Sequence, residues 1–540
     1  MRLILLIFLF ISFKVFSFQE HARVYFVDKP HAANLLTNPV KILSERSISK
    51  KKLHGIPIDE RDVPVYNDYV SAIRKQEGII VKARSKWFNC IHVLGSVENI
   101  RTLADFNFVA DIFFADPRFN AGGLGRKEQR HQGIHKNKFE EEVLYDYGAT
   151  TAQNGQINLQ ALHSIGFTGK GMQIAVLDAG FTKVNTMKAF QYMRNNNHLL
   201  GGYDFVNRSH DVFAYDQNSH GTQVLSVMAA FIEGEYVGTA PDAGYFLFRT
   251  EEAGQETPAE ESYWVEAAEL SDSLGVDILN TSLGYSTFDN PNYNYHPGDM
   301  DGETTFISKG AQIALDKGML VVTSAGNEGN NRNWKVITAP ADVDGLTVGA
   351  VDAEGTYASF SSVGPATGGK IKPDVMARGV RTAIVLPDDS IRFLNGTSFS
   401  SPVMAGATAC LWQANLSKSN REMMKMIRQS GHLFDDPNNE YGYGIPDFSL
   451  LVTTAPLNEE AYSGEFNIFP NPTKGKFHVV FPENIFYADI DLYDVLGKWV
   501  YRKKISSINN EVNIGHLNSG VYIAKISSKN TKRILKIIKQ

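Results

Sequence analysis

The sequence predicts an α/β domain with a mostly parallel sheet covered by helices, preceded by a small α+β unit and followed by a small β-sandwich. Three observations carry this. The stretches 172–177, 276–279, 320–322 and 346–348 are predominantly apolar, lack in–out alternation and are interspersed with helical patterns. Strands of that kind are buried on both faces, as in a parallel sheet between helix layers. By contrast, 476–481, 488–493, 521–526 and 534–538 read as half-buried strands separated by the turn formers Pro470-Asn471-Pro472, Leu496-Gly497-Lys498 and Asn518-Ser519-Gly520. Finally, 540 residues are too many for one compact domain.

Taken in order, Met1-Arg2 is followed by an apolar run over 3–13, broken only by Ser12 and closed by Lys14. The run is too short to span a bilayer and reads as a secretory signal peptide over 1–18. No later stretch is apolar enough for a membrane span. Residues 19–139 form the second segment. Strands are expected at 22–27, 78–81, 88–94 and 109–114, with helical spacing over 65–75. The segment ends in Asn120-Ala121-Gly122-Gly123 and a basic stretch from Arg126 to Lys138, an exposed linker open to cleavage. The α/β domain occupies 140–456, and the sandwich 462–540.

Composition narrows the function classes. Apolar residues make up 43% and charged residues 21%, as in soluble globular protein. A net charge of −6 argues against a dedicated nucleic-acid binder. Two distant cysteines, Cys90 and Cys410, make no disulfide framework, and Cys410 reads as a buried small hydrophobe.

Chemistry-bearing residues stand at element boundaries of the α/β domain. Asp178 ends the apolar run Ile174-Ala175-Val176-Leu177, and a carboxylate there must be hydrogen-bonded to be tolerated. His220, in Ser219-His220-Gly221-Thr222, opens an apolar helical stripe through Val224, Met228 and Phe231 that would fix its ring. Ser398 lies in Asn395-Gly396-Thr397-Ser398-Phe399-Ser400-Ser401-Pro402, ahead of a helix of small residues. Pro402 is expected in the first turn. At the helix N-terminus, free amides and the dipole favour the negative charge that builds up in acyl transfer. Asn327 follows the bend Ser324-Ala325-Gly326 after an apolar strand. Taken singly, these residues have ordinary readings as a cap, a surface histidine or a turn former.

Together they resemble the subtilisin-like serine proteases, whose catalytic order is Asp, His, Ser. The likeness spans about 155–450 and includes Gly238-Thr239-Ala240-Pro241, Asn280-Thr281-Ser282-Leu283-Gly284, Phe360-Ser361-Ser362 and Lys372-Pro373-Asp374. It implies a secreted serine endopeptidase with Ser398 as nucleophile, His220 as general base, Asp178 as its orienter and Asn327 as oxyanion donor. Ser282-Leu283-Gly284 and Ser324-Ala325-Gly326 resemble the two edges that clamp an extended substrate and line its first pocket. Two positions depart from the family pattern: Gln223 stands where a second histidine is usual, and Arg378 interrupts Ala-Pro-Gly. No cofactor is implied for the chemistry. Structural calcium is common in the family, but no ligands are assigned to it here.

Residues 19–139 resemble the inhibitory propeptides of secreted subtilases. The last segment resembles type A sorting domains of the type IX secretion system, through Phe469-Pro470-Asn471-Pro472, Tyr493-Asp494-Val495-Leu496-Gly497-Lys498 and Leu517-Asn518-Ser519-Gly520-Val521-Tyr522. The implied partners are protein or peptide substrates, the chain's own propeptide and the secretion machinery, with export across an outer membrane. The alternative is a catalytically retired subtilase scaffold acting as a surface binding protein. A maturation protease with one dedicated substrate is a further enzymatic reading.

Overall fold

The computed structural model describes residues 19–120, 145–451 and 466–540, apart from 470, 482–484, 486, 495–497, 507–509 and 529–531. The expected signal peptide, the basic linker, Pro470 and Val495-Leu496-Gly497 lie outside the described residues. Two compact units divide at Thr453/Thr454. No helix among the described residues is long and apolar enough to cross a membrane.

The first unit begins with a four-stranded antiparallel sheet. Its strands are β1 (Gln19–Phe26), β2 (Ile80–Ser85), β3 (Cys90–Ser96) and β4 (Val109–Phe114), in the order β2-β3-β1-β4. The strand expected at 78–81 starts at Ile80 instead. The polar helix α1 (Glu45–Leu53) had no apolar pattern to announce it, whereas α2 (Asn67–Arg74) falls on the helical spacing. Ala22, Val24, Val70, Ile73, Ile91 and Val93 fill a core of their own.

The larger part holds a seven-stranded sheet. Its strands are β5 (Gln173–Asp178), β6 (Leu199–Asp204), β7 (Gly244–Arg249), β8 (Ile278–Thr281), β9 (Leu320–Ser324), β10 (Leu346–Val351) and β11 (Val375–Arg378). Their order is β11-β10-β9-β8-β5-β7-β6, and every pairing is parallel. Ile174 to Leu177 and Leu320 to Val322 are all fully buried, as continuous apolar runs require. The main helices are α3 (His220–Ala229), α4 (Pro258–Leu274), α5 (Phe306–Asp316), α6 (Thr397–Gln413) and α7 (Asn420–Gln429).

The N-terminal α+β part docks on α4 through paired charges. Arg23 meets Glu261 at 3.0 Å and Lys51 meets Asp272 at 2.6 Å. Glu269 accepts from Ser85 Oγ and from the backbone N–H groups of Lys86 and Trp87 at 2.5–2.9 Å. Each carboxylate lies on α4 and each donor on the N-terminal part. Removing one partner of such a buried pair costs about 3–5 kcal/mol, because the other charge is stranded.

A histidine pair lies in the same interface. His21 Nδ1 is 2.9 Å from His92 Nε2, and His92 Nδ1 is 2.8 Å from Ser262 Oγ on α4. His21 is 8% exposed and His92 2%, so the pair is cut off from water. Burial, helped by Lys82 and Arg23, pushes His21 down to about 4, with Glu252 the opposing charge. Burial, then His21, Arg23, Lys82 and Arg208, pushes His92 well below its ordinary value. A lowered pKa in the docked state means protons bind preferentially to the undocked one. The pair's contribution to docking is therefore fully present above about pH 6.5 and is lost as pH falls from there toward 4, while Glu269, whose carboxyl burial pushes up to about 7 in the same interface, opposes it with the contrary sign. Amide exchange in α4, corrected for its intrinsic pH dependence, should be faster at pH 5 than at pH 7. Equal protection at the two values would contradict this.

The second unit pairs β12 (Asn467–Phe469), β13 (Lys476–Val480) and β16 (Glu511–Asn513) in one antiparallel sheet. The other sheet runs β15-β14-β17-β18, with β14 (Tyr487–Asp494), β15 (Trp499–Ser506), β17 (Gly520–Ser527) and β18 (Lys532–Lys539). Inward residues of both sheets, such as Phe477, Val479, Ile490, Leu492, Ala524 and Ile537, share one core.

Candidate active site

Three adjacent strands of the parallel sheet, β9, β8 and β5, end at one rim. Their carboxyl ends deliver Asn327, Ser282 and Asp178 to the same side of the domain. A crevice at strand C-termini is where open α/β sheets place their ligands.

Asp178 is the last residue of β5 and is 1% exposed. Its Oδ1 accepts from Ala179 N at 2.7 Å and from His220 Nδ1 at 2.8 Å. Its backbone carbonyl accepts from Thr250 N at 3.0 Å, which ties the strand end to β7. Among the described residues Oδ2 has no partner. His220 is the first residue of α3, and its backbone N–H donates to Asn218 Oδ1 at 2.8 Å. The next residue has to be glycine. A Cβ on Gly221 would lie 2.6 Å from Gly180 O and 3.0 Å from Asp178 Cβ, so only a bare backbone lets the helix start this close to the strand end.

Partial burial alone would lower the His220 pKa. The Asp178 carboxylate, by charge and hydrogen bond, and then Glu251, outweigh burial and raise it. With Nδ1–H held by Asp178, Nε2 is the nitrogen free to take a proton.

Ser398 is the second residue of α6 and is half-buried. The helix begins at Thr397, after Gly396 at φ +152°, a conformation that side chains rarely adopt. Pro402 is therefore inside the helix rather than in its first turn, which corrects the expectation from sequence. Its missing N–H leaves the carbonyl four residues earlier, that of Ser398, without its helical donor. Gly406 lets the helix lie against the 238–241 segment, since a Cβ there would overlap Thr239 Oγ1. Ser401 Oγ donates to Asn280 Oδ1 at 3.1 Å, and Ser400 Oγ to Thr397 O at 3.0 Å. The Ser398 hydroxyl, by contrast, makes no hydrogen bond among the described residues. The structure does not close the link from Ser398 Oγ to His220 Nε2. The His220 ring is 6.0 Å from that of Phe399, the residue after Ser398.

Asn327 bridges back to the same helix start. Its Oδ1 accepts from Thr397 N and from Thr397 Oγ1, each at 3.0 Å. Both bonds fall on oxygen, so Nδ2 remains to donate, and it has no partner among the described residues. Ser324, the last residue of β9, is buried, and just past β8 Ser282 is buried and Leu283 half-buried.

Glu251, which no motif marked, stands just past β7 and takes a 2.6 Å bond from Tyr285 Oη. Burial pushes its carboxyl up to about 8. Its oxygen lies within 4.8 Å of those of Glu256 and Glu260, the one group of three potential metal ligands among the described residues. As a calcium site the trio fits poorly. Calcium takes 6–8 oxygens, and both Glu260 oxygens already accept backbone N–H bonds from Glu252 and Thr257.

A parallel α/β sheet carrying an Asp–His pair, a serine at a helix start and an adjacent amide donor defines a serine peptidase of subtilisin architecture. Residues 169–444 match the model of the Subtilase family, and the chain belongs to that family. Residues 21–133 match the peptidase S8 propeptide domain of Bacteroidota, and 467–540 the secretion system C-terminal sorting domain. Subtilisin NAT of Bacillus subtilis subsp. natto is 28% identical over 308 residues, which is 56% of this chain and 71% of that one. Subtilisin DY of Bacillus licheniformis is 30% identical over 258 residues, 47% of this chain and 81% of its own. The alkaline protease of Alkalihalobacillus alcalophilus is 28% identical over 292 residues, 54% and 66% of the two chains. The protein is thus a serine endopeptidase, carried by the type IX route to the cell surface or beyond.

Proposed function

We propose that the protein hydrolyses peptide bonds through an acyl-enzyme formed on Ser398. The observation that carries this is the 2.8 Å Asp178–His220 bond beside a serine whose neighbour, Thr397, is clasped by Asn327. His220 Nε2 takes the Ser398 proton as Oγ attacks the scissile carbonyl, then passes that proton to the leaving amine. Asp178 holds the ring in the needed tautomer and stabilises its charged form. Asn327 Nδ2 and the Ser398 backbone N–H receive the tetrahedral oxyanion. Water, deprotonated by His220, then releases the acid product and restores the hydroxyl. The open Ser398–His220 link suits a free enzyme, in which catalytic hydrogen bonds are often long until substrate binds.

Ser282-Leu283-Gly284 and Ser324-Ala325-Gly326 act as the two clamping edges on this reading. Residues 1–18 serve as signal peptide. Residues 19–139 are propeptide and linker, inhibiting until cut near the basic stretch, and 140–456 the peptidase domain. Residues 462–540 address the chain to the type IX machinery. The charge-paired docking of the N-terminal part on α4 supports its role as a resident inhibitor. The test is to incubate the processed protein with an unfolded protein and read the products by mass spectrometry. Cuts at internal peptide bonds are expected. Binding without any cut would favour the retired-scaffold reading instead.

A further inference from the structure

Between the two clamping segments stands a residue that no motif marks. Thr338 is 4% exposed. Its N–H donates to Ala325 O at 3.4 Å, and the next residue, Ala339, exchanges backbone bonds with Tyr285 at 2.8 and 3.1 Å. The 338–339 segment is thereby sewn to one edge at Ala325 and to the other at Tyr285, beside Gly284. The Thr338 side chain faces both glycines. A Cβ on Gly284 would collide with Thr338 Oγ1, and one on Gly326 would lie 2.9 Å from Ser362 Oγ and 3.0 Å from Thr338 Oγ1. Thr338 therefore takes up the space beside Gly284 and shares that beside Gly326 with Ser362. The small apolar cluster of Ala325, Ile337, Ala341 and Ala366 lies alongside it. A β-branched side chain has little χ1 freedom with which to swing aside. Its hydroxyl has no partner among the described residues, so no hydrogen bond explains its presence there.

We infer that Thr338 is the stop of the first side-chain slot, so that the enzyme cleaves after small residues such as alanine or serine rather than after phenylalanine or leucine. The inference rests on the catalytic reading above and on the two edges assigned with it. A packed slot penalises each additional methylene, and differences of one methylene already alter kcat/KM by about 10–200-fold.

The test compares two peptides that differ only in the residue before the scissile bond, alanine or phenylalanine, on the processed enzyme. The wild type should prefer alanine by at least about tenfold in kcat/KM. Thr338→Gly should raise kcat/KM for the phenylalanine peptide at least about tenfold, with the alanine peptide changed much less. Thr338→Ala should move it the same way by less, which keeps the test available if the glycine variant does not fold. Thr338→Val, equal in shape without the hydroxyl, should keep the wild-type preference. A wild type that prefers phenylalanine would overturn the inference. So would Thr338→Gly and Thr338→Ala enzymes that react fully with a fluorophosphonate probe yet keep the wild-type profile. A wild type that neither reacts with the probe nor cleaves either peptide would overturn the catalytic reading, and this inference with it.

Discussion

Ser398→Ala should leave a folded protein whose peptide hydrolysis has fallen on the order of 10⁴- to 10⁶-fold. The two halves of that statement have separate causes. The Ser398 hydroxyl takes no part in hydrogen bonding among the described residues, so its removal strands no buried donor or acceptor. Ser401 is the contrasting case, fully buried and donating to Asn280 Oδ1 at 3.1 Å. Its loss would act on stability, at about 1–3 kcal/mol for the acceptor left unpaired. The loss of rate at Ser398 would be chemical, since on the proposed mechanism this hydroxyl carries the acyl group. His220→Ala should cost a similar factor, and the double variant little more, because the two residues act as one unit.

Asn327→Leu should lower kcat by about 10²–10³, a figure known from the equivalent change in subtilisin itself, with much less effect on KM. On the proposed mechanism the donor Nδ2 acts on charge that exists only in the transition state. The same substitution also removes the acceptor that holds Thr397 N and Oγ1, so some stability is lost at the start of α6. Asn327→Asp separates the two effects. A carboxylate keeps the acceptor for Thr397 and supplies no donor, so kcat should fall while the helix start stays held. Steady-state kinetics with thermal unfolding on both variants check this. A wild-type kcat in the Asn327→Asp enzyme would remove Asn327 from the oxyanion site.

The parts of the site legible in the sequence are those that local chemistry constrains. Asp178 could be read because a carboxylate closing an apolar strand needs a partner, and His220 because an apolar helical stripe follows it. Both stand at the expected element ends. Pro402 was misplaced because the helix start is set by Gly396 and the Asn327 clasp on Thr397, a contact 70 residues away in sequence. Thr338 and Glu251 were invisible for a related reason. Each matters only through segments that the sheet brings alongside, and neither sits in a motif. Among strands, β5 and β9 were evident from unbroken apolar runs. β6 reads Leu-Leu-Gly-Gly-Tyr-Asp, and its glycines hid it. β15 carries Arg502, Lys503 and Lys504 and sits at a sheet edge, where cations guard against strand pairing and erase the strand signal.

Peptide hydrolysis by this protein depends, on the proposed mechanism, on the nucleophilicity of the Ser398 hydroxyl. The direct measurement is to treat the processed protein with a fluorophosphonate and map the adduct by tandem mass spectrometry. A single adduct on Ser398, absent in Ser398→Ala and in His220→Ala, is the predicted result. An adduct on another residue, or undiminished labelling of Ser398→Ala, would contradict it.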